Sequence, residues 1–299
     1  MNKPVVLAFA GGLHASAAIP WLIDTMRVEV VTVTLDVGQG HELGALRARA
    51  LDCGAIRAHV VDARDDFARD VLFPSLRTAP ADEAPNAVTA LAWPLIARKL
   101  VEIARIENAG AVAHGSTDLA FDAAIRAIDR SIDIIAPSRN WTMGADDLAS
   151  YARARRLPVT TTSTTDCQID QNLWGRMVAW TTQEAPAAIK TRVSRRLDEP
   201  ATLDLHFEHG APTSVNGVPM SPAELIECVA LIGSQHGIGQ TVVSAQGRQV
   251  LYDAPAATVL QVAASVAGQE AAADVCLKLA DGAYTVLSPS DRHALLVNA

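Results

Sequence analysis

The stretch Val5–Ser16, VVLAFAGGLHAS, constrains this chain more than any other. An apolar run from Val5 to Phe9 reads as a buried strand, Gly11-Gly12 as a turn, and the following residues as the start of a helix. A glycine turn at that place exposes successive backbone N–H groups at a helix N-terminus, which suits phosphate oxygens. A nucleotide phosphate site is therefore the first expectation.

The pattern that opens there repeats. A helical stretch with Ile19, Leu22, Ile23 and Met26 follows, with Pro20 expected in its early turns, where a missing N–H costs least. Val28–Leu35 is rich in β-branched residues and reads as a strand buried on both faces. Helices are expected over Glu42–Leu51, Asp66–Leu76, Val88–Ile106 and around Ala120–Asp129, and strands over Ala58–Val61, Ala111–Ala113 and Ile132–Ala136. Residues 77–86 read as a polar, proline-bearing loop. This alternation implies an α/β fold, a parallel, doubly wound sheet with helices on both faces. Ligands of such sheets bind beyond the carboxyl ends of the strands, near the point where strand order reverses. Gly11-Gly12, Asp36-Val37-Gly38 and His114-Gly115-Ser116-Thr117 all fall at such ends.

Composition narrows the partners. With 299 residues, 49% hydrophobic and 19% charged, the chain reads as an ordinary globular protein of one large or two medium domains. A net charge of -8 offers no basic stripe for nucleic acid. Cys53, Cys167, Cys228 and Cys276 are scattered without a C-x-x-C pair, so free thiols are expected rather than a zinc site or disulfides. No signal-peptide pattern and no run approaching the ~20 apolar residues of a membrane span occurs, and a cytoplasmic protein without membrane contact is expected.

The rhythm changes near Leu157-Pro158, before the run Thr160–Thr165, and the division expected is residues 1–158 and 159–299. Leu203–His209 alternates with period two, and Asn216-Gly217 signals a hairpin. Ser221-Pro222-Ala223-Glu224 reads as a capping box with Pro222 at the first helical position. An amphipathic helix over Asp253–Gly268 and a closing hairpin, Val275–Leu279 with Tyr284–Leu287, make this half α+β.

Five stretches carry a family resemblance: LDVGQG (Leu35–Gly40), TALAWPLIARKLVEIA (Thr89–Ala104), AHGSTD (Ala113–Asp118), IDQNLWGR (Ile169–Arg176) and FEHGAPTSVNGVPMSPAELIE (Phe207–Glu227). GIGQ (Gly237–Gln240) and VLYDAPA (Val250–Ala256) continue it. In these the chain resembles argininosuccinate synthase, an N-type ATP pyrophosphatase. The resemblance implies an adenine nucleotide alpha hydrolase (HUP-like) sheet followed by an α+β synthetase domain. It also implies the family reaction, in which the ureido oxygen of citrulline attacks the α-phosphate of ATP and aspartate then displaces AMP. Such catalysis is mostly positioning and stabilisation of charge on phosphoryl oxygens.

Residue by residue the match is uneven. In the phosphate loop, S-G-G-x-D-[ST] in the family, Gly11, Gly12 and Ser16 match, while Ala10, His14 and Ala15 replace a serine, an aspartate and a threonine. The resemblance puts nucleotide contacts at Ala8, Thr34, Asp36 and Gly115 as well, although all four could merely secure tight strand ends. ATP is the implied ligand, with magnesium if a triphosphate is bound. On the amino-acid side Thr117, Asp122 and Tyr252 match substrate positions, but Pro85 stands for a tyrosine, Trp93 and Ile125 for arginines, and Phe121 for an asparagine. Arg126 lies one position, about 100° of helix rotation, from the lost arginine. Gln168, Cys167 and Met177 replace further hydroxyl-bearing positions, and the loop between Gly239 and Arg248 reads as shortened.

These changes share a direction. Two zwitterionic amino acids need cations for their carboxylates. An unpartnered carboxylate in an apolar pocket costs at least about a few kcal/mol, and each ~1.4 kcal/mol is tenfold in affinity. The expected function is therefore a divergent, non-catalytic or regulatory relative that keeps an adenine-nucleotide pocket. A ligase adenylating a less polar substrate is the alternative, and argininosuccinate synthesis itself a third. No catalytic residue and no metal ligand is assigned; His206 and His209 have no third ligand in sequence. Asn172–Arg176 is read as a packing element and Arg98-Lys99 with Glu102 as a solvated ion-pair face. The family's long C-terminal arm does not follow Asp291-Arg292-His293, so the family tetramer is not expected, and a homodimer is left open.

Overall fold

The computed structural model describes residues 3–40, 43–76, 88–159, 167–181, 197–245 and 247–288. The chain forms two compact units, one of Met1–Asp36, Gly40–Ala63 and Ala92–Thr164, the other of Val37–Gln39, Arg64–Leu91 and Thr165–Ala299.

In the first unit β1 (Val5–Ala8), β2 (Val30–Asp36), β3 (Arg57–Asp62), β4 (Ala111–Ala113) and β5 (Asp133–Ile135) form a parallel sheet in the order β3-β2-β1-β4-β5. The inner strands are apolar without alternation because both faces are covered: Val5, Val6 and Leu7 of β1 and Val30, Val31 and Val33 of β2 are all buried. Helix α1 (Leu13–Met26) lays Ile19 and Leu22 on Val5, Leu7 and Val30. Burial of side chains of this size contributes roughly 1.5–3 kcal/mol each. The helix starts immediately after the glycine turn, so Pro20 lies in its interior rather than in its early turns, and the carbonyl of Ser16 loses its i+4 donor there. Helix α2 (Leu43–Asp52) joins β2 to β3.

The helix expected over Asp66–Leu76 is a broken one. It comprises α3 (Arg64–Phe67), a π-helical segment (Ala68–Leu72) and α4 (Phe73–Ser75), with Phe67, Leu72 and Phe73 buried, and it belongs to the second unit. Helix α5 (Val88–Ile106) matches its apolar stripe, with Leu95 and Leu100 fully buried; on its other face Glu102 pairs with Lys99 at 3.6 Å. Helix α6 (Leu119–Ile128) is capped by Asp118, whose carboxylate accepts the Ala120 N–H at 2.8 Å. Two further helices, α7 (Pro137–Asn140) and α8 (Ala145–Ala154), follow β5. The loop 77–86, Pro85, the run Thr160–Thr165 and Asp291-Arg292-His293 lie outside the described residues.

The second unit is built from antiparallel sheets. One has the order β10-β9-β8-β13-β14, from β8 (Ala201–Glu208), β9 (Ala211–Val215), β10 (Val218–Pro219), β13 (Ala272–Ala280) and β14 (Ala283–Leu287). Asn216-Gly217 and Asp281-Gly282 both hold left-handed φ at successive residues, as a two-residue hairpin turn requires. The other sheet has the order β11-β12-β7-β6, from β6 (Cys167–Asn172), β7 (Gly175–Trp180), β11 (Gln240–Ala245) and β12 (Arg248–Asp253). No strand was expected in any of these four stretches, and Asp253 ends β12 instead of opening a helix. Helix α9 (Pro222–Gln235) begins at the expected capping box: Ser221 Oγ accepts the Glu224 N–H at 3.4 Å and Glu224 Oε2 accepts the Ser221 N–H at 3.0 Å. Helix α10 spans Pro255–Ala267. Cys53, Cys228 and Cys276 are free thiols. Among the described residues no helix is long and apolar enough to cross a membrane.

Candidate functional site

The strand order reverses at β1, whose neighbours β2 and β4 lie on opposite sides of it, so the loops leaving β1, β2 and β4 meet at one edge of the sheet. Ala8 ends β1, Asp36 ends β2, and Gly115 follows β4. Gly11 and Gly12 lead into α1, with Gly12 as its N-cap. No side chain caps that helix and no acidic residue stands in its first turn. The positive end of its dipole is thus uncompensated by a carboxylate.

Two of these residues turn their side chains to the frame. Thr34 Oγ donates to the Phe9 carbonyl at 2.9 Å, tying β2 to the end of β1. Ser16 is fully buried and its hydroxyl has no hydrogen-bond partner among the described residues; burial raises the pKa of the Cys53 thiol, and the nearby Ser16 hydroxyl partly offsets that rise. The Asp36 carbonyl accepts the Ala63 N–H at 2.9 Å, and the Gly115 carbonyl accepts from Ser138 Oγ at 3.1 Å. Gly11 is buried at φ 76°, with the Leu46 side chain 2.2 Å from where a Cβ would stand. Arg49 Nη1 donates to the Gly11 carbonyl at 2.8 Å. His14 is exposed; its ring centroid lies 6.2 Å from that of Trp141, which meets Trp21 edge-on at 6.0 Å.

Beside this edge lies a charged cluster under aromatic cover. Arg139 Nη2 reaches both carboxylate oxygens of Asp122, at 2.7 and 3.0 Å, and His114 Nε2 lies 2.9 Å from Asp122 Oδ1. His114 is 1% exposed. Burial pushes its pKa down, and the Asp122 carboxylate works against that shift. The Phe121 ring stands edge-on to His114 at 4.8 Å and 6.0 Å from Trp93. Phe121 and Ile125 are buried, whereas Arg126, one position on, is exposed. Thr117 is exposed on the loop that leads to α6.

Tyr252 belongs to the second unit. On the β11-β12-β7-β6 sheet it pairs with Met177 of β7 and Thr241 of β11, and Met177 in turn pairs with Asp170 of β6. Burial raises the pKa of Asp170. A cavity of about 420 Å³ in the same unit lies among Asn172–Gly175, Glu227, Ser234 and Asp253. Trp174 is buried, and its N–H donates to Asn172 Oδ1 at 2.8 Å, which makes this segment a packed turn between β6 and β7. No group of three metal-ligating side chains occurs among the described residues.

Arg49 and Arg139 were not anticipated. Both act on residues far along the chain, and neither falls in a recognisable motif.

An open, doubly wound sheet with a glycine turn and an uncapped helix start at its switch point defines the class: an α/β ligand-binding domain, here followed by antiparallel sheets. Residues 4–158 match the argininosuccinate synthase N-terminal HUP domain and residues 167–270 the argininosuccinate synthase C-terminal domain. The chain is 37% identical over 280 residues to the argininosuccinate synthase of Pelotomaculum thermopropionicum, covering 87% of this chain and 70% of that protein. It is 35% identical to that of Bacillus pumilus (87% and 69%) and 36% identical to that of Carboxydothermus hydrogenoformans (88% and 71%). This chain belongs to the argininosuccinate synthase family. A U34-tRNA thiolase, NcsA from Methanococcus maripaludis, aligns with a TM-score of 0.38 at 12% identity over 53% of this chain and 58% of its own, too low to carry structural argument.

Proposed function

We propose that this chain binds an adenine nucleotide at the switch-point edge of its parallel sheet and does not condense citrulline with aspartate. The Gly11-Gly12 turn, the uncapped start of α1 and the ends of β1, β2 and β4 supply backbone donors and a crevice for the nucleotide. Ala8, Asp36 and Gly115 would line it, with Thr34 and Ser16 serving as its frame. The loop offers no carboxylate to a metal: Ala10, His14 and Ala15 stand where side-chain ligands would be needed. These residues do not fit a protein-held magnesium ion, and no step is assigned to one.

The observation that carries the second half of the proposal is the closed Asp122 cluster. Its cation, Arg139, holds both Asp122 oxygens through Nη2, and the positions beside it are Phe121, Ile125 and Trp93. A zwitterionic amino acid entering there would find the Arg139 charge already neutralised by Asp122, with Nη1 left unpaired among the described residues. Thr117, a neutral hydroxyl on the loop before α6, does not replace the missing charges.

The test is calorimetric titration with AMP and ATP, paired with a pyrophosphate-release assay containing citrulline and aspartate. Nucleotide binding without pyrophosphate release is the expected result. Argininosuccinate formation in the reaction mixture would overturn the proposal. The aromatic pair Trp93–Phe121 favours one second reading, a ligase that adenylates a less polar acceptor. Pyrophosphate release with an aromatic or aliphatic carboxylate, and not with citrulline, would select it.

A further inference from the structure

We infer that Arg49 is a positioning residue for phosphate recognition: from α2 it fixes the peptide plane of the glycine turn and so aims the Gly12 N–H at the anion. The inference rests on the nucleotide reading above and goes further by assigning a role to a side chain outside the phosphate loop.

Arg49 Nη1 donates to the Gly11 carbonyl at 2.8 Å, across 38 residues of sequence. The described residues have no cis peptide bonds, and in a planar trans peptide the carbonyl and the following N–H point in opposite directions. With the Gly11 carbonyl drawn toward α2, the Gly12 N–H must point away from α2. Gly12 is exposed there and has open space around the position of a missing Cβ. Leu46, one helical turn before Arg49 on the same face of α2, packs where a Gly11 side chain would be and holds the turn against that helix. Gly11 can flip its flanking peptides freely because it lacks a Cβ, so without a clamp the donor would sample both directions. The guanidinium also withdraws electron density through the peptide it binds, which strengthens the N–H on its far side. With no acidic side chain in the first turn of α1, no carboxylate there opposes an anion at this donor.

The experiment compares wild type, Arg49→Met and Arg49→Lys in calorimetric titrations with adenosine, AMP and ATP, with thermal melts as a fold check. Wild type should bind AMP and ATP. Arg49→Met should weaken both by on the order of tenfold, the loss of a charge-assisted hydrogen bond, and leave adenosine unchanged. Arg49→Lys, which keeps the charge and a donor, should recover most of the affinity. An equal loss for adenosine and AMP, or no loss for either, would overturn the positioning role. Wild type failing to bind any of the three would overturn the nucleotide reading, and this inference with it. Should Arg49→Met melt far below wild type, Arg49→Lys decides: phosphate affinity retained with restored stability supports the role, phosphate affinity lost in a stable protein refutes it.

Discussion

Asp122 faces two partners of different kinds, one a cation and one a buried imidazole. Arg139 is charged at every relevant pH, while the buried His114 resists protonation. Removing the carboxylate with Asp122→Ala leaves a guanidinium and an imidazole without their partner, and the expected cost is about 2–3 kcal/mol, below that of a fully buried pair because both ions keep some exposure. Urea unfolding of this variant against wild type checks it. His114 also sets a pH dependence. Its folded pKa lies below the unfolded value of 6.5, so below that pH the unfolded chain takes up a proton the folded one refuses. Stability is then present in full above pH 6.5 and lost as pH falls below it. The urea midpoint should drop between pH 7 and pH 5.5 in wild type and drop less in His114→Gln. Asp129 runs in the same direction at more acid pH: Ser131 and Arg105 hold its carboxyl at about 2, below the ordinary 3.8, so its contribution is present above the ordinary value and is lost as pH falls from there toward 2.

Elements were legible where local chemistry alone decides them. The capping box at Ser221 and Glu224, the Asn216-Gly217 and Asp281-Gly282 turns and the β-branched inner strands each follow from residues within a few positions of one another. The sheet containing β6, β7, β11 and β12 did not show, because CQIDQN and QTVVSA lack a clean alternation and owe their strand form to pairing with β7 and β12. At the site, the glycine turn was readable, but the direction of side chains was not: that Ser16 faces Cys53 and Thr34 faces Phe9 depends on strand and helix packing. The start of α9 illustrates how local and distant signals combine. Ser221 satisfies the Glu224 N–H, and Asp65, from α3, accepts the Ala223 N–H at 2.9 Å. Loss of either cap in Ser221→Ala or Asp65→Ala should cost roughly 0.5–1 kcal/mol, and loss of both more than either alone, measurable as a double-mutant cycle in urea.

At the scale of the whole molecule, the second unit takes Val37–Gln39 and Arg64–Leu91 from the first half of the chain. The chain therefore passes between the units at Asp36, Gln39, Ala63, Leu91 and Thr164. Residues 159–299 expressed alone would lack the helical run 64–75, with its buried Phe67, Leu72 and Phe73, and the Asp65 cap on α9. That fragment should give circular dichroism of reduced helical content and a broad, non-cooperative melt, and addition of the separate N-terminal portion should sharpen it.

The bond from Asp65 to Ala223 has a consequence in time. The two residues are 158 positions apart, and a ribosome adding about 5–20 residues per second takes on the order of 8–30 s to make the second after the first. For most of that interval Phe67, Leu72 and Phe73 have been made while β9 and α9 of their unit have not. A growing chain of this protein thus carries an apolar segment that must wait until the last third of the sequence is made.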